Sequence, residues 1–188
     1  MCCSLPGTLG KDFHDASRFR QVPDHQEMFM HERSGAAIIV ELLAHQRTVA
    51  DVDAAYFHWA ELASSNKARD SIDRAKLTEA VVEPCNFDTP KGPILAARSV
   101  ASGVQRVSKF NEDDRVNDVM VAVGVIRLTK PYWTDILVSI SAPVRIAEGS
   151  SEQRYVEKPL EAEDAVAMLQ AVFDTVTVRD FGLFVEED

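Results

Sequence analysis

The stretch Val119–Leu128 constrains the fold of this 188-residue chain more than any other. In an extended strand, Val119, Val121, Val123 and Val125 fall to one side, and Met120, Ala122, Gly124 and Ile126 to the other. Both sides are apolar, so this strand needs cover on both faces of its sheet. After the turn Lys130-Pro131-Tyr132, Ile136, Val138 and Ile140 alternate with Asp135, Leu137, Ser139 and Ser141. The short link makes the two strands antiparallel, and the polar alternation predicts that the second is half solvated or close to an edge.

The remaining segments supply more strands and the covering layers. Ala36 to Ala44 reads as a strand with few polar interruptions, and Leu77 to Val82 as another, stopped by Pro84. Pro90-Lys91-Gly92-Pro93 reads as a loop without regular structure. Ile94 to Ser99 and Val104 to Phe110 flank Ala101-Ser102-Gly103, read as a hairpin turn in which Gly supplies a positive φ. Thr48 and Asp51 mark a helix start; Val52, Ala55, Tyr56, Trp59, Ala60 and Ala63 form its apolar face, with His58 off that face in solvent. Pro159 opens a second helix, whose first turn carries Glu161, Glu163 and Asp164 and whose buried face is Ala165, Met168, Leu169, Val172, Phe173 and Val176. The expectation is one α+β domain over 1–188: an antiparallel sheet of about six strands flanked by helices, an α/β/α sandwich. Residues 1–10 read as an irregular N-terminus and 185–188 as an acidic tail end. A parallel nucleotide-binding fold would need a helix after nearly every strand, and two long helices are too few.

Charge narrows the partners. The net charge of −10 disfavours nucleic acid, whose phosphates call for clustered Lys and Arg. Residues 148–188 alone carry a net −8, so any acidic site in the first half is a local arrangement, suited to a basic protein surface. No apolar run reaches bilayer length, and the N-terminus lacks the basic-then-apolar order of a signal peptide. Cys2 stands where myristoylation requires Gly, and three cysteines make no disulfide framework, which fits a reducing compartment.

Catalytic signatures are missing from the sequence. There is no G-x-x-x-x-G-K-S/T loop, no G-x-G-x-x-G turn and no G-x-S-x-G elbow. Cys85 has no C-x-x-C partner. His14, His25 and His31, with Asp15, Asp24 and Glu27, match no zinc spacing, although they leave open a metal or hydrolytic pocket in the 14–31 region. What remains is a polar, acidic loop at Arg20-Gln21-Val22-Pro23-Asp24-His25-Gln26, running straight into the strand Glu27-Met28-Phe29-Met30. Pro23 fixes φ and extends Val22, so the scaffold can hold the loop's side chains in place.

That loop, with Phe13-His14-Asp15-Ala16-Ser17 before it and Ile38-Ile39-Val40-Glu41-Leu42-Leu43 after it, resembles the Ran guanine nucleotide release factor family. Ser102 to Asn111, Val125 to Leu128 with Thr134 to Val138, and Asp180 to Phe184 resemble it in the same order. The resemblance implies a non-enzymatic factor, with no cofactor or metal, that binds the nuclear-transport GTPase Ran and promotes loss of its nucleotide. It implies a monomer of nucleus and cytoplasm that uses neither nucleic acid nor membrane. The implied partner-binding residues are Asp15, Arg20, Pro23, Asp24, Gln26, Glu27 and Glu41. Two departures stand out: Ala44 occupies a position where the family often has a second acid, and the family's short first strand before Leu5-Pro6 is missing. Outside the resemblance, a small-molecule-binding or hydrolytic protein and an acidic scaffold remain alternatives.

Overall fold

A computed structural model describes residues 9, 12–68, 83–108, 112 and 114–184 of the chain. Seven strands form one sheet: β1 (Phe13–Asp15), β2 (Gln26–His31), β3 (Ala37–Ala44), β4 (Glu83–Thr89), β5 (Gly92–Ser108), β6 (Val116–Leu128) and β7 (Thr134–Arg145). Their spatial order is β1-β2-β3-β7-β6-β5-β4, and every neighbouring pair is antiparallel. Two helices, α1 (Ala54–Ser65) and α2 (Ala162–Phe173), pack on opposite faces.

The two sides of β6 do what their composition requires. Val121, Val123 and Val125 pack with Ala55, Trp59 and Ala63 of α1. Ala122 and Ile126 face Leu169, Val172 and Phe173 of α2, together with Ile38, Val40, Val138 and Ile140. Gly124 has a steric role here. A Cβ at this position would lie 2.7 Å from the Phe173 ring, so the glycine lets α2 settle onto the sheet. On the other side the Trp59 indole donates to the Val121 carbonyl at 2.9 Å, which satisfies both groups in a dry layer.

The sheet differs from the sequence expectation in several places. Among the described residues it has seven strands, not about six. Ala101, Ser102 and Gly103 lie inside β5, paired with Val123, Ala122 and Val121, and make no hairpin. The reversal falls instead at Pro90-Lys91, where Thr89 pairs with Gly92 and Gly92 takes φ +103°. Pro84 sits in β4, the edge of the sheet, and Pro93 in the start of β5, ahead of its first pairing with β6 at Ala96, so each has a side with no neighbouring strand. The expected strand at Leu77 to Val82 lies outside the described residues. β7 is neither solvated nor near an edge; it is central, and Asp135 in it is fully buried. Helix α1 follows a 3₁₀ turn over Asp51–Asp53, which leaves Val52 49% exposed instead of on the apolar face. His58 is buried, not solvated, because it reaches Asp135 through the α1–sheet layer. Helix α2 begins at Ala162 rather than Pro159, with Glu161 at its N-cap and Glu163 and Asp164 in the first turn.

Candidate functional site: an acidic loop on the sheet edge

The loop between β1 and β2 is held at both ends. Buried Ala16 starts a 3₁₀ turn over Ala16–Arg18, and its carbonyl accepts from the amides of Phe19 and Arg20 at 3.0 Å each. Asp15 caps that turn, accepting from the Ser17 amide at 2.9 Å. Hydrogen bonds from Ser17 hold the Asp15 carboxyl below its ordinary pKa, so it stays charged. At the other end the Gln26 amide donates to the Pro23 carbonyl at 2.9 Å, and Leu42 of β3 donates to the His25 carbonyl at 3.0 Å. The prolyl bend is thereby tied to the third strand, with Pro23 and Asp24 exposed at its tip.

Strand alternation then sorts the implied partner residues onto two faces. On the α1 face Gln26 stands opposite Glu41 and donates its side-chain amide to Glu41 Oε1. His25 Nε2 lies 3.6 Å from the same oxygen. Exposed Arg20 folds back on the Met28 sulfur. On the α2 face Glu27 stands opposite Val40 and Asp15 opposite Phe29. Burial raises the Glu27 pKa, and the Asp15 charge raises it further. A partly desolvated carboxylate of this kind gains more from meeting a cation than one in open water. The structure thus brings Gln26 with Glu41 and Asp15 with Glu27, and leaves Arg20, Pro23 and Asp24 at the rim between the two pairs.

The histidines of this region do not converge. His14 pairs with Glu32 at 3.3 Å, and His31 Nδ1 meets Ser34 Oγ at 2.9 Å while its ring packs edge-on against Phe13. No group of three or more His, Cys, Asp or Glu among the described residues is placed to hold a metal ion. The metal or hydrolytic pocket left open at 14–31 therefore finds no common centre there.

A cleft of about 600 Å³ opens beside the loop tip. Asp24 and His25 of the loop, Leu42, Leu43 and Ala44 of β3, and Trp133, Leu183 and Phe184 line it. Its Trp133 wall rests on a buried ionic cluster. Arg127 and Asp135, 1% and 0% exposed, pair at 3.1 Å. The guanidinium also donates to the carbonyls of Val49 and Gln46 at 2.7 Å each, which pins the chain leaving β3. His45 Nε2 lies 3.2 Å from Arg127, whose nitrogens only donate, and its Nδ1 lies 3.2 Å from Asp135 without a hydrogen bond to it. The His45 amide donates to the Trp133 carbonyl at 3.1 Å, and the two rings meet edge to face. Sequence reasoning passed over Trp133, and also Phe19, which is 79% exposed between two arginines next to the motif. An aromatic in so polar a segment was the available signal.

Sheet, helices and loop define an α+β protein whose candidate site is an acidic surface on a sheet edge, next to an apolar cleft. The chain belongs to the family described as Ran-interacting Mog1 protein, which it matches over residues 1–143. It is 35% identical over 183 residues to the Ran guanine nucleotide release factor of Danio rerio, covering 96% of this chain and 95% of that one. A probable Ran guanine nucleotide release factor of Dictyostelium discoideum is 29% identical over 188 residues, covering 94% and 90%. The crystal structure of the Saccharomyces cerevisiae Ran-binding protein Mog1p superposes with a TM-score of 0.60 at 25% identity, over 94% of this chain and 91% of that one.

Proposed function

We propose that this chain binds a Ran-type GTPase, promotes release of its guanine nucleotide and so serves nucleocytoplasmic transport, acting as one domain and a monomer in nucleus and cytoplasm. The family match and the relatives named as Ran guanine nucleotide release factors support the binding partner. The observation that carries the mechanism is the setting of Glu27, a partly desolvated carboxylate on β2, the strand beside the edge strand β1, within one bend of exposed Asp24. A GTPase holds its nucleotide through a phosphate-loop Lys and Mg²⁺, both cationic. Glu27 or Asp24 competes for those cations, while Asp15, Arg20, Pro23, Gln26 and Glu41 dock the partner. The work is done by binding, with no chemical step and no cofactor of its own. Accelerating release a thousandfold takes about 4 kcal/mol of differential binding. Where release reflects weakened nucleotide affinity, linkage makes the factor hold the empty GTPase more tightly by the same ratio.

The test is release of a fluorescent guanine nucleotide from purified Ran. The wild-type chain accelerates release, and Glu27→Lys lowers the acceleration by about tenfold or more, since it sets like charges against each other. Identical rates with wild type, Glu27→Lys and no added protein would remove the proposal.

A further inference from the structure

We infer that the cleft beside the loop receives a bulky apolar side chain of the GTPase, with a neighbouring Lys or Arg of the same segment set against Asp24. This rests on the GTPase reading above and adds an apolar contact to it: Asp24 pairs with a cation of the partner segment, which leaves Glu27 to compete for the nucleotide's cations.

Shape, lining and charge each point to such an occupant. At about 600 Å³ the cleft exceeds the needs of any one side chain and has room for an anchor residue with its flanking backbone. Leu42, Leu43, Trp133 and Phe184 give it apolar walls, and Leu183 at its rim is 41% exposed. Among the described residues its lining carries one carboxylate, Asp24, and neither Lys nor Arg. One carboxylate beside an apolar lining is complementary to an apolar residue beside a cation, the arrangement by which an anchor and a charge fix register together. Asp24 belongs at once to the loop and to the cleft, so the two contacts form one continuous surface. Trp133 in the same lining is held in place: its carbonyl accepts from the His45 amide, and Arg47 lies over the indole with its guanidinium carbon 4.6 Å from the ring centroid.

The experiment measures the affinity of the full chain for purified Ran by titration, alongside nucleotide release. Ala44→Trp puts a large side chain into the cleft lining, and Leu183→Asp places a charge among its apolar residues. Tyr155→Ser, 69% exposed and beyond the other end of β7, is the control. Each cleft variant is expected to weaken binding by about tenfold or more while the control does not. Leu183→Asp, at a part-exposed position, carries the test should Ala44→Trp lower the melting temperature. Wild-type affinity in both cleft variants overturns the inference while leaving the release function intact. Failure of the wild-type chain to bind Ran overturns both readings. A second copy of this chain in the cleft would show as a dimer in sedimentation that Ala44→Trp dissociates, with Ran affinity unaltered; that also overturns it.

Discussion

Asp135 accepts from Arg127, from His58 at 3.0 Å and from the Gln46 amide at 3.3 Å, with no water contact of its own. Burial alone would raise its pKa, but the His58 hydrogen bond and the Arg127 charge outweigh that and hold it below the ordinary value. Asp135→Ala strands a buried guanidinium, so it should cost about 3–5 kcal/mol in urea denaturation. His45 gives a pH signature. Burial, ahead of the opposing Asp135 charge, lowers its pKa below 6.5. The unfolded chain then binds the proton more readily, so this contribution is complete above pH 6.5 and is lost as pH falls through the folded value. The urea midpoint should fall between pH 7.5 and 5.5, and His45→Gln should flatten the part of that slope that it carries; an unchanged slope would contradict the assignment. Little of this was legible beforehand. Asp135 and His58 lie 77 positions apart, and each alone has the pattern of a solvated polar residue.

At the scale of elements, β6 was the most readable part of the chain and also the least tolerant. Gly124→Ala drives a methyl into the Phe173 ring and should destabilise by about 1–3 kcal/mol; Phe173→Leu in the same chain should recover part of that loss, giving a non-additive cycle. Additive costs would mean that the two residues do not share the space. Continuous apolar alternation announced this strand, and a 3.6-residue period announced α1 and α2. The long β5 was misread for a physical reason. Gly103 was assigned a positive φ, which only a turn requires, whereas in the fold it continues a strand between β4 and β6. Pairing with neighbours far along the chain overrode the local signal.

For the whole molecule, the α+β class and the cover on both faces of the sheet could be read from composition patterns, but the strand order could not. Nothing local says that β3 pairs with β7 across some ninety positions, which makes β7 central despite its polar alternation. The loop residues were legible as a string; their division between faces needed the register of β2 on β3. A net charge of −10 also acts at this scale. If a basic surface is the partner, association with Ran should slow by about tenfold or more as ionic strength rises, while dissociation changes less; stopped-flow mixing at low and high salt measures both.

That division has a geometric consequence for anything that grips this protein. Gln26 and Glu41 look out from one side of the sheet and Asp15 and Glu27 from the other, so a ligand that touches all four must wrap the β1 edge and reach as far as β3. A flat binder pressed against either side would reach only half the set. A further strand added along β1 would block the way round the edge while leaving both pairs on their own faces.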